Sequence, residues 1–179
     1  MADPIGKVIL RTLRRVFIWP MEAALVLFLF GLARLLPMPL ASALFGGLFG
    51  LIGPFTPWHG RASRNLAFAM PDLGRAEQRR ILAGMWRNFG RVVGEFPHVH
   101  RMVGLGRIEF EGLENLRNLK GGAILVGAHI GNWELGPYAA LGEGHKVAAI
   151  YRPLNNPLLA GILELSLIHI SEPTRHCLI

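Results

Sequence analysis

His129 and Glu134 are the two residues whose types and spacing point most directly to chemistry. They lie in the segment 123–134, AILVGAHIGNWE, in which an apolar run precedes the histidine and a helix-like sequence begins near the glutamate. A neutral imidazole can take a proton from a hydroxyl at physiological pH, and a carboxylate on its other nitrogen fixes the tautomer and stabilises the imidazolium. The segment holds no serine or cysteine nucleophile, so the attacking hydroxyl would belong to a substrate.

The same spacing also has a structural interpretation. Asn132 can cap the following helix, Glu134 can complement its dipole, and His129 can be an ordinary histidine at the end of a strand. If the pair is catalytic, the backbone N–H groups near Gly131 and Asn132 lie where a helix begins and could stabilise an oxyanion. A His-x4-Glu pair by itself does not decide between these interpretations.

Several further motifs surround this pair. They are the sequences GAHIGNWE at 127–134, IYRPLNNP at 150–157, RASRNLAFAMP at 61–71 and MWRNFGR at 85–91, followed by Glu95. Together they resemble the bacterial lipid A biosynthesis acyltransferases, the lauroyl/myristoyl transferase family. The resemblance covers most of the chain.

This resemblance implies an enzyme that moves a fatty acyl chain from acyl carrier protein to a hydroxyl of a lipid A precursor, at the cytoplasmic side of the cell inner membrane. His129 would be the general base and Glu134 would orient it, and the activated thioester would need no metal and no cofactor. Arg152 would bind an acceptor phosphate or the carrier's phosphopantetheine, or help to hold the oxyanion. Asn132 and Gly131 complete the predicted substrate-binding set, chiefly by shaping the turn.

Two other functions remain open at this stage. One is a related acyltransferase that acts on another membrane glycolipid or phospholipid, because the His-Glu chemistry would be shared. The other is a membrane-anchored binding protein in which the pair has only a structural role. Replacing His129 with alanine would abolish activity in an enzyme and leave such a binding protein intact.

The composition favours contact with a membrane. Of 179 residues, 51% are hydrophobic and only 17% are charged, which is unusually apolar for a soluble domain. Of the 19 basic residues, 16 are arginines, whose planar fork suits phosphate and carboxylate partners such as anionic lipids or an acidic carrier protein. No nucleic-acid partner is expected, since no corresponding binding motif is present. His98 and His100 lack further ligands at suitable spacing, so no metal site is expected.

The N-terminal region is predicted to attach the chain to the membrane. A basic flank at 1–15 precedes an almost wholly apolar run at 16–36, and about twenty such residues can cross a bilayer. The flank would stay in the cytoplasm by the positive-inside rule. Glu22 and Arg34 interrupt the apolar run, so a buried or interfacial helix is the alternative.

Residues 37–164 are predicted to form an incomplete α/β domain of the glycerolipid-acyltransferase type. Strand, helix and strand in succession imply a parallel pair, whose carboxyl ends would bring His129 and Arg152 to one side of the sheet. The segment 40–55 is rich in small and apolar residues and would pack on the first helix, dip into lipid or form a core hairpin. Helices are expected over 61–70 and 75–96, and strands over 107–111, 123–128 and 146–151.

The C-terminal segment 165–179 differs in character from the rest. Residues 165–175, LSLIHISEPTR, read like the translation of a transposase-type sequencing adapter, so the segment is expected to be non-native. Family members continue past Asn155-Asn156-Pro157 with further strands, and we therefore expect this chain alone to be inactive and poorly soluble without detergent. Cys177, the only cysteine, lies in this segment, so neither a disulfide framework nor a thiol mechanism is expected.

Overall fold

The computed structural model describes residues 12–148 and 154–160. The chain divides into two compact units, each assembled from separate stretches of sequence. The first unit combines Met1–Gly31, Glu109–Leu125 and Gly136–Ile179, and the second combines Leu32–Ile108 and Val126–Leu135. Both His129 and Glu134 belong to the second unit.

Two apolar helices begin the described part of the chain. A π-helical turn, Arg14–Ile18, continues into α1, Trp19–Leu35; α2, Met38–Ile52, follows Pro37 and ends in a 3-10 turn, Gly53–Phe55. By length and composition, Arg14–Leu35 and Met38–Phe55 could each cross a membrane. Two such helices suggest membrane association only weakly, because a buried core helix has the same composition.

The second unit is built on an antiparallel pair of helices, α2 and α4, Arg75–Glu95. Glycines allow the two backbones to touch. A methyl group added at Gly94 would lie 2.6 Å from the carbonyl oxygen of Ala41, and one added at Gly90 would overlap the carbonyl oxygen of Phe45. The order of these contacts, 41 with 94 and 45 with 90, sets the two chains in opposite directions.

Helix α4 has a buried face and an exposed face that is rich in arginine. Its buried ridge repeats every four residues, at Leu82, Trp86, Gly90 and Gly94, which matches ridge-into-groove packing on α2. Phe45 is the largest fully buried side chain among the described residues. The arginines of α4 are exposed, namely Arg75, Arg79, Arg80, Arg87 and Arg91.

Three further helical elements of the second unit flank α4 in the sequence. Helix α3, Pro57–Ala69, contacts α4, and the indole N–H of Trp86 donates to Nδ1 of His59 at 3.0 Å. After α4 come a 3-10 turn, Phe96–His98, and α5, Val99–Gly104. Nε2 of buried His98 lies 2.9 Å from the carbonyl oxygen of Ala33, so this histidine ties the last turns of α1 to the start of α5.

The first unit contains shorter elements: α6, Leu113–Arg117; α7, Gly136–Gly142; and a 3-10 turn, Pro157–Leu159. Asn156 caps that last turn by accepting from the N–H of Leu158. Its own amide donates to the carbonyl oxygen of Trp19 at 2.9 Å and to Glu22 at 3.1 Å. These bonds explain why Asn156 is buried.

The predicted α/β fold is wrong for the part of the chain that the structure describes, which is helical and contains no strand. Residues 107–111 and 123–128 are irregular, as are 146–148 of the third predicted strand, whose remaining residues lie outside the described part. Ile124 and Val126 are each 91% exposed. An apolar run predicts burial, but a strand also needs a neighbour to accept and donate its backbone hydrogen bonds, and among the described residues no strand pairs with these segments.

Candidate active site

A glycine-centred turn places the two predicted catalytic residues. Gly131 has φ +58°, a left-handed conformation that glycine adopts without a steric penalty. Before it, the N–H of Ile130 donates to the carbonyl oxygen of Ala128 at 2.8 Å. After it, the chain enters a 3-10 turn, Trp133–Leu135, that continues directly into α7. The predicted turn is therefore present, although no strand leads into it.

His129 and Glu134 differ in their exposure to solvent. The histidine is exposed and Glu134 is half-buried. Burial raises the pKa of the Glu134 carboxyl above its ordinary value, while a hydrogen bond from the Trp133 side chain and the positive charge of His129 offset part of that rise. The two groups are therefore close enough to interact electrostatically, with the imidazole on the accessible side.

Aromatic and polar contacts hold this turn in the second unit. The rings of His129 and Trp133 lie 4.8 Å apart, centroid to centroid. The Asn132 side chain donates from Nδ2 to Oε2 of Glu95, the last residue of α4, at 3.0 Å. Oε1 of the same carboxylate accepts from the hydroxyl of Ser42 on α2 at 2.7 Å. The turn is thus connected to both helices of the central pair.

Asn132 is held by the protein and its other polar atom is buried. Only the amide nitrogen can donate to a carboxylate, which fixes the orientation of the side chain. Its Oδ1 is then buried and has no hydrogen-bond partner within the described residues. The geometry fits a residue that shapes the turn. Arg152, the remaining predicted binding residue, lies outside the described residues.

An apolar groove of about 560 Å³ opens elsewhere on the second unit. It lies between α2, α3 and α4 and is within the size range of small-molecule pockets. A T-shaped contact between Phe49 and Phe89, with centroids 5.5 Å apart, forms part of its wall. The groove is lined mainly by Phe49, Ile52, Trp58, Met85, Trp86 and Phe89.

The chain matches a known protein family. Residues 6–163 match the family described as bacterial lipid A biosynthesis acyltransferase. This chain belongs to that family. It is therefore an acyltransferase by membership, and the resemblance found in the sequence motifs is confirmed. No curated protein and no solved structure matches the chain significantly.

Two hydrogen bonds of this acyltransferase were not expected from its motifs, namely those that Glu95 accepts from Ser42 and from Asn132. Glu95 was part of the resemblance without an assigned role, and Ser42 was not singled out at all. Glu95 did carry a signal, because an acidic residue at the C-terminal end of a helix faces the negative end of the helix dipole. Such a placement suggests that other contacts stabilise the carboxylate.

Among the described residues, no group of three or more His, Cys, Asp or Glu side chains is arranged to hold a metal ion.

Proposed function

We propose that this acyltransferase moves a fatty acyl chain from acyl carrier protein to a hydroxyl of a lipid A precursor, with His129 as general base and Glu134 as its orienting partner. One observation carries the proposal: an exposed imidazole and a half-buried carboxyl share one turn of the second unit. An exposed base is open to a substrate hydroxyl, whereas a carboxyl withdrawn from water interacts more strongly with the imidazolium.

The reaction follows general-base catalysis. His129 removes the proton of the acceptor hydroxyl while that oxygen attacks the carbonyl carbon of the thioester, and the charge of Glu134 stabilises the imidazolium that forms. The carbon–sulfur bond then breaks, an ester remains on the acceptor, and the departing thiolate of the carrier takes the proton from His129. The enzyme ends with His129 neutral, ready for the next turnover.

The apolar groove between α2, α3 and α4 is proposed to hold the acyl chain. Ser42 contacts Glu95 near the turn, and Phe49 lines the groove. These two α2 residues are separated by two helical turns, so they share a face about 10 Å apart along the helix axis. Ala62 of α3 also lines the groove. Ala62→Phe, which fills the groove, should reduce transfer of long acyl chains more than of short ones. Ala67→Phe, on an exposed site of the same helix, is the matched control.

The arginine face of α4 is proposed to receive the acidic acyl carrier protein. Arg80 is paired with Glu77, whereas no ion pair involves Arg79 among the described residues. Charge reversal at Arg79 should therefore raise KM for the acylated carrier and leave KM for acyl-phosphopantetheine unchanged. Because the carrier is cytoplasmic, the active site would face the cytoplasm at the inner membrane. Arg152 is proposed to bind a phosphate of the acceptor.

The test of this function is an acyl-transfer assay on membranes from cells that express the complete reading frame. Wild type, His129→Ala and Glu134→Gln are compared with labelled acyl carrier protein as donor and a lipid A precursor as acceptor. We expect each variant to lose about 10²- to 10⁴-fold in kcat. His145→Gln is the control, because glutamine can still bond to the carbonyl oxygen of Leu116 that His145 contacts at 2.8 Å.

Wild-type rates in the His129→Ala variant would overturn the mechanism. Transfer to a phospholipid or another glycolipid, with none to the lipid A precursor, would overturn the proposed acceptor and leave the general-base mechanism in place. A variant that loses activity must also have a melting temperature in detergent no lower than that of wild type, so that unfolding does not imitate a catalytic loss.

A further inference from the structure

Glu95 joins three distant parts of the second unit. Both oxygens of its carboxylate are occupied: Oε1 accepts from Ser42 of α2 and Oε2 accepts from Asn132 of the turn. Glu95 follows Ser42 by 53 residues and precedes Asn132 by 37 residues. The two bonds therefore connect the central helix pair to the turn that carries His129 and Glu134.

The position of Glu95 is electrostatically unfavourable on its own. It is the last residue of α4, where the helix dipole disfavours a negative charge by about 0.3–1 kcal/mol. It is half-buried, and within the described residues no arginine or lysine is paired with it. Its charge is met by two neutral donors, and hydrogen bonds to a carboxylate are among the stronger ones in proteins. These two bonds stabilise the carboxylate at a position where the helix dipole disfavours it.

The turn needs such an attachment. Its own backbone bonds, from Ile130 to Ala128 and from Leu135 to Asn132, connect neighbouring residues and fix only its local shape. Gly131 adds a residue with wide conformational freedom between His129 and Glu134. Asn132 lies three residues after the histidine and two before the glutamate. Fixing Asn132 therefore limits the movement of both side chains relative to each other.

We infer that Glu95 is a positioning residue for acyl transfer, which holds Asn132 and thereby sets the separation of His129 and Glu134. Ser42 orients the carboxylate for this task. The inference rests on the proposed function, because it assigns Glu95 to the same site. Misplacement of a catalytic pair by about 1 Å can cost about 10²-fold in rate. The loss should fall on kcat, since within the described residues the hydrogen bonds of Glu95 go to Ser42 and Asn132, and not to the groove or to the arginines of α4.

A double-mutant cycle across the Glu95–Asn132 bond tests this inference. Asn132→Asp sets two carboxylates against each other, and we expect a loss of at least about 100-fold in kcat. Glu95→Gln combined with Asn132→Asp restores an amide-to-carboxylate bond in the reverse direction. We expect the double variant to recover at least tenfold over the Asn132→Asp variant, with KM for the donor unchanged. Glu111→Gln, at an exposed carboxylate of the first unit, should behave as wild type.

Purely additive losses in this cycle would overturn the positioning role. If Asn132→Asp fails to fold, Ser42 provides the second test. Ser42→Ala should lower kcat several-fold, and Ser42→Thr, which keeps the hydroxyl, should restore it; equal rates in these two variants would also overturn the inference. Failure of the proposed function would be distinguished from failure of this inference, because the His129→Ala variant would then remain active.

Discussion

The imidazole of His129 lies against the indole of Trp133, with 4.8 Å between the ring centroids and 53° between the ring planes. The same indole side chain hydrogen-bonds to the carboxyl of Glu134. One aromatic residue therefore contacts both members of the proposed catalytic pair. It restricts the orientations of the exposed histidine and supplies a polar contact to its partner.

Trp133→Ala is expected to lower kcat by about tenfold, because a ring contact of this kind contributes about 0.5–1.5 kcal/mol. Trp133→Phe keeps a ring beside His129 and loses the N–H toward Glu134, so an intermediate kcat is expected. Steady-state acyl transfer at saturating donor measures the effect. Phe68→Ala, at a side chain that is 91% exposed, is the control. An unchanged kcat in Trp133→Ala would show that the ring contact is incidental.

The raised pKa of Glu134 predicts opposite effects on stability and activity. Because the folded state raises this pKa by burial, the folded protein binds the proton more tightly than the unfolded chain does. The associated stability is present at acidic pH and is lost as the pH rises through the raised pKa. Glu134→Gln stays uncharged, so its melting temperature should exceed that of wild type near neutral pH and equal it below about pH 4.

Thermal unfolding in detergent at several pH values checks this prediction, with kcat measured on the same samples. The control is Glu77→Gln. A hydrogen bond from Arg80 lowers the pKa of exposed Glu77, so this variant should be no more stable than wild type near neutral pH. A Glu134→Gln variant that is less stable than wild type at neutral pH would contradict the argument.

The helices could be predicted from sequence because their signals are local. Apolar spacing and the break at 71–74 place α4 at Arg75–Glu95, within one residue of the predicted 75–96. The strands could not be predicted in the same way. The run 123–128 has the composition of a buried strand, but whether a strand forms depends on a neighbour that composition does not reveal.

In the candidate site, too, the local features could be predicted from sequence and the long-range contacts could not. The turn at Gly131 and the proximity of His129 to Glu134 follow from six consecutive residues, so their spacing was informative. The bond between Glu95 and Asn132 joins residues 37 positions apart and depends on how α2 and α4 pack. No periodicity in the sequence encodes that contact. Whether the pair is catalytic stays a prediction, which the proposed assays test.

Alanine usually stabilises a helix relative to glycine. The glycine contacts between α2 and α4 predict the opposite effect at a glycine that touches the other helix. Gly84 has open space around the position of a side chain, so Gly84→Ala should stabilise α4 by about 0.5–1 kcal/mol. Gly90→Ala would set its methyl group against the backbone of Phe45 and should destabilise by about 1–3 kcal/mol. Thermal unfolding of the two variants side by side measures this difference. Equal stabilities would show that α2 and α4 are not in backbone contact.

Helix α1 is expected to lie along the membrane interface without crossing the bilayer. The uncharged stretch between Glu22 and Arg34 has eleven residues, which rise about 16 Å, roughly half the thickness of a hydrocarbon core of about 30 Å. Both flanking charges also have protein partners. Glu22 accepts from Asn156 at 3.1 Å, and Arg34 donates to the carbonyl oxygen of Pro97 at 3.3 Å. A helix that crossed the bilayer would have to carry one of these contacts into lipid, at considerable cost.

Labelling from each side of the membrane tests this orientation. Cysteines at Leu13 and at Leu36, each introduced into a Cys177→Ser background, bracket α1. An impermeant maleimide should label both sites in inside-out vesicles and neither site in right-side-out vesicles, because an interfacial helix keeps its two ends on one side. Labelling from opposite sides would establish a membrane-spanning α1, and the bonds at Glu22 and Arg34 would then have to form within the bilayer.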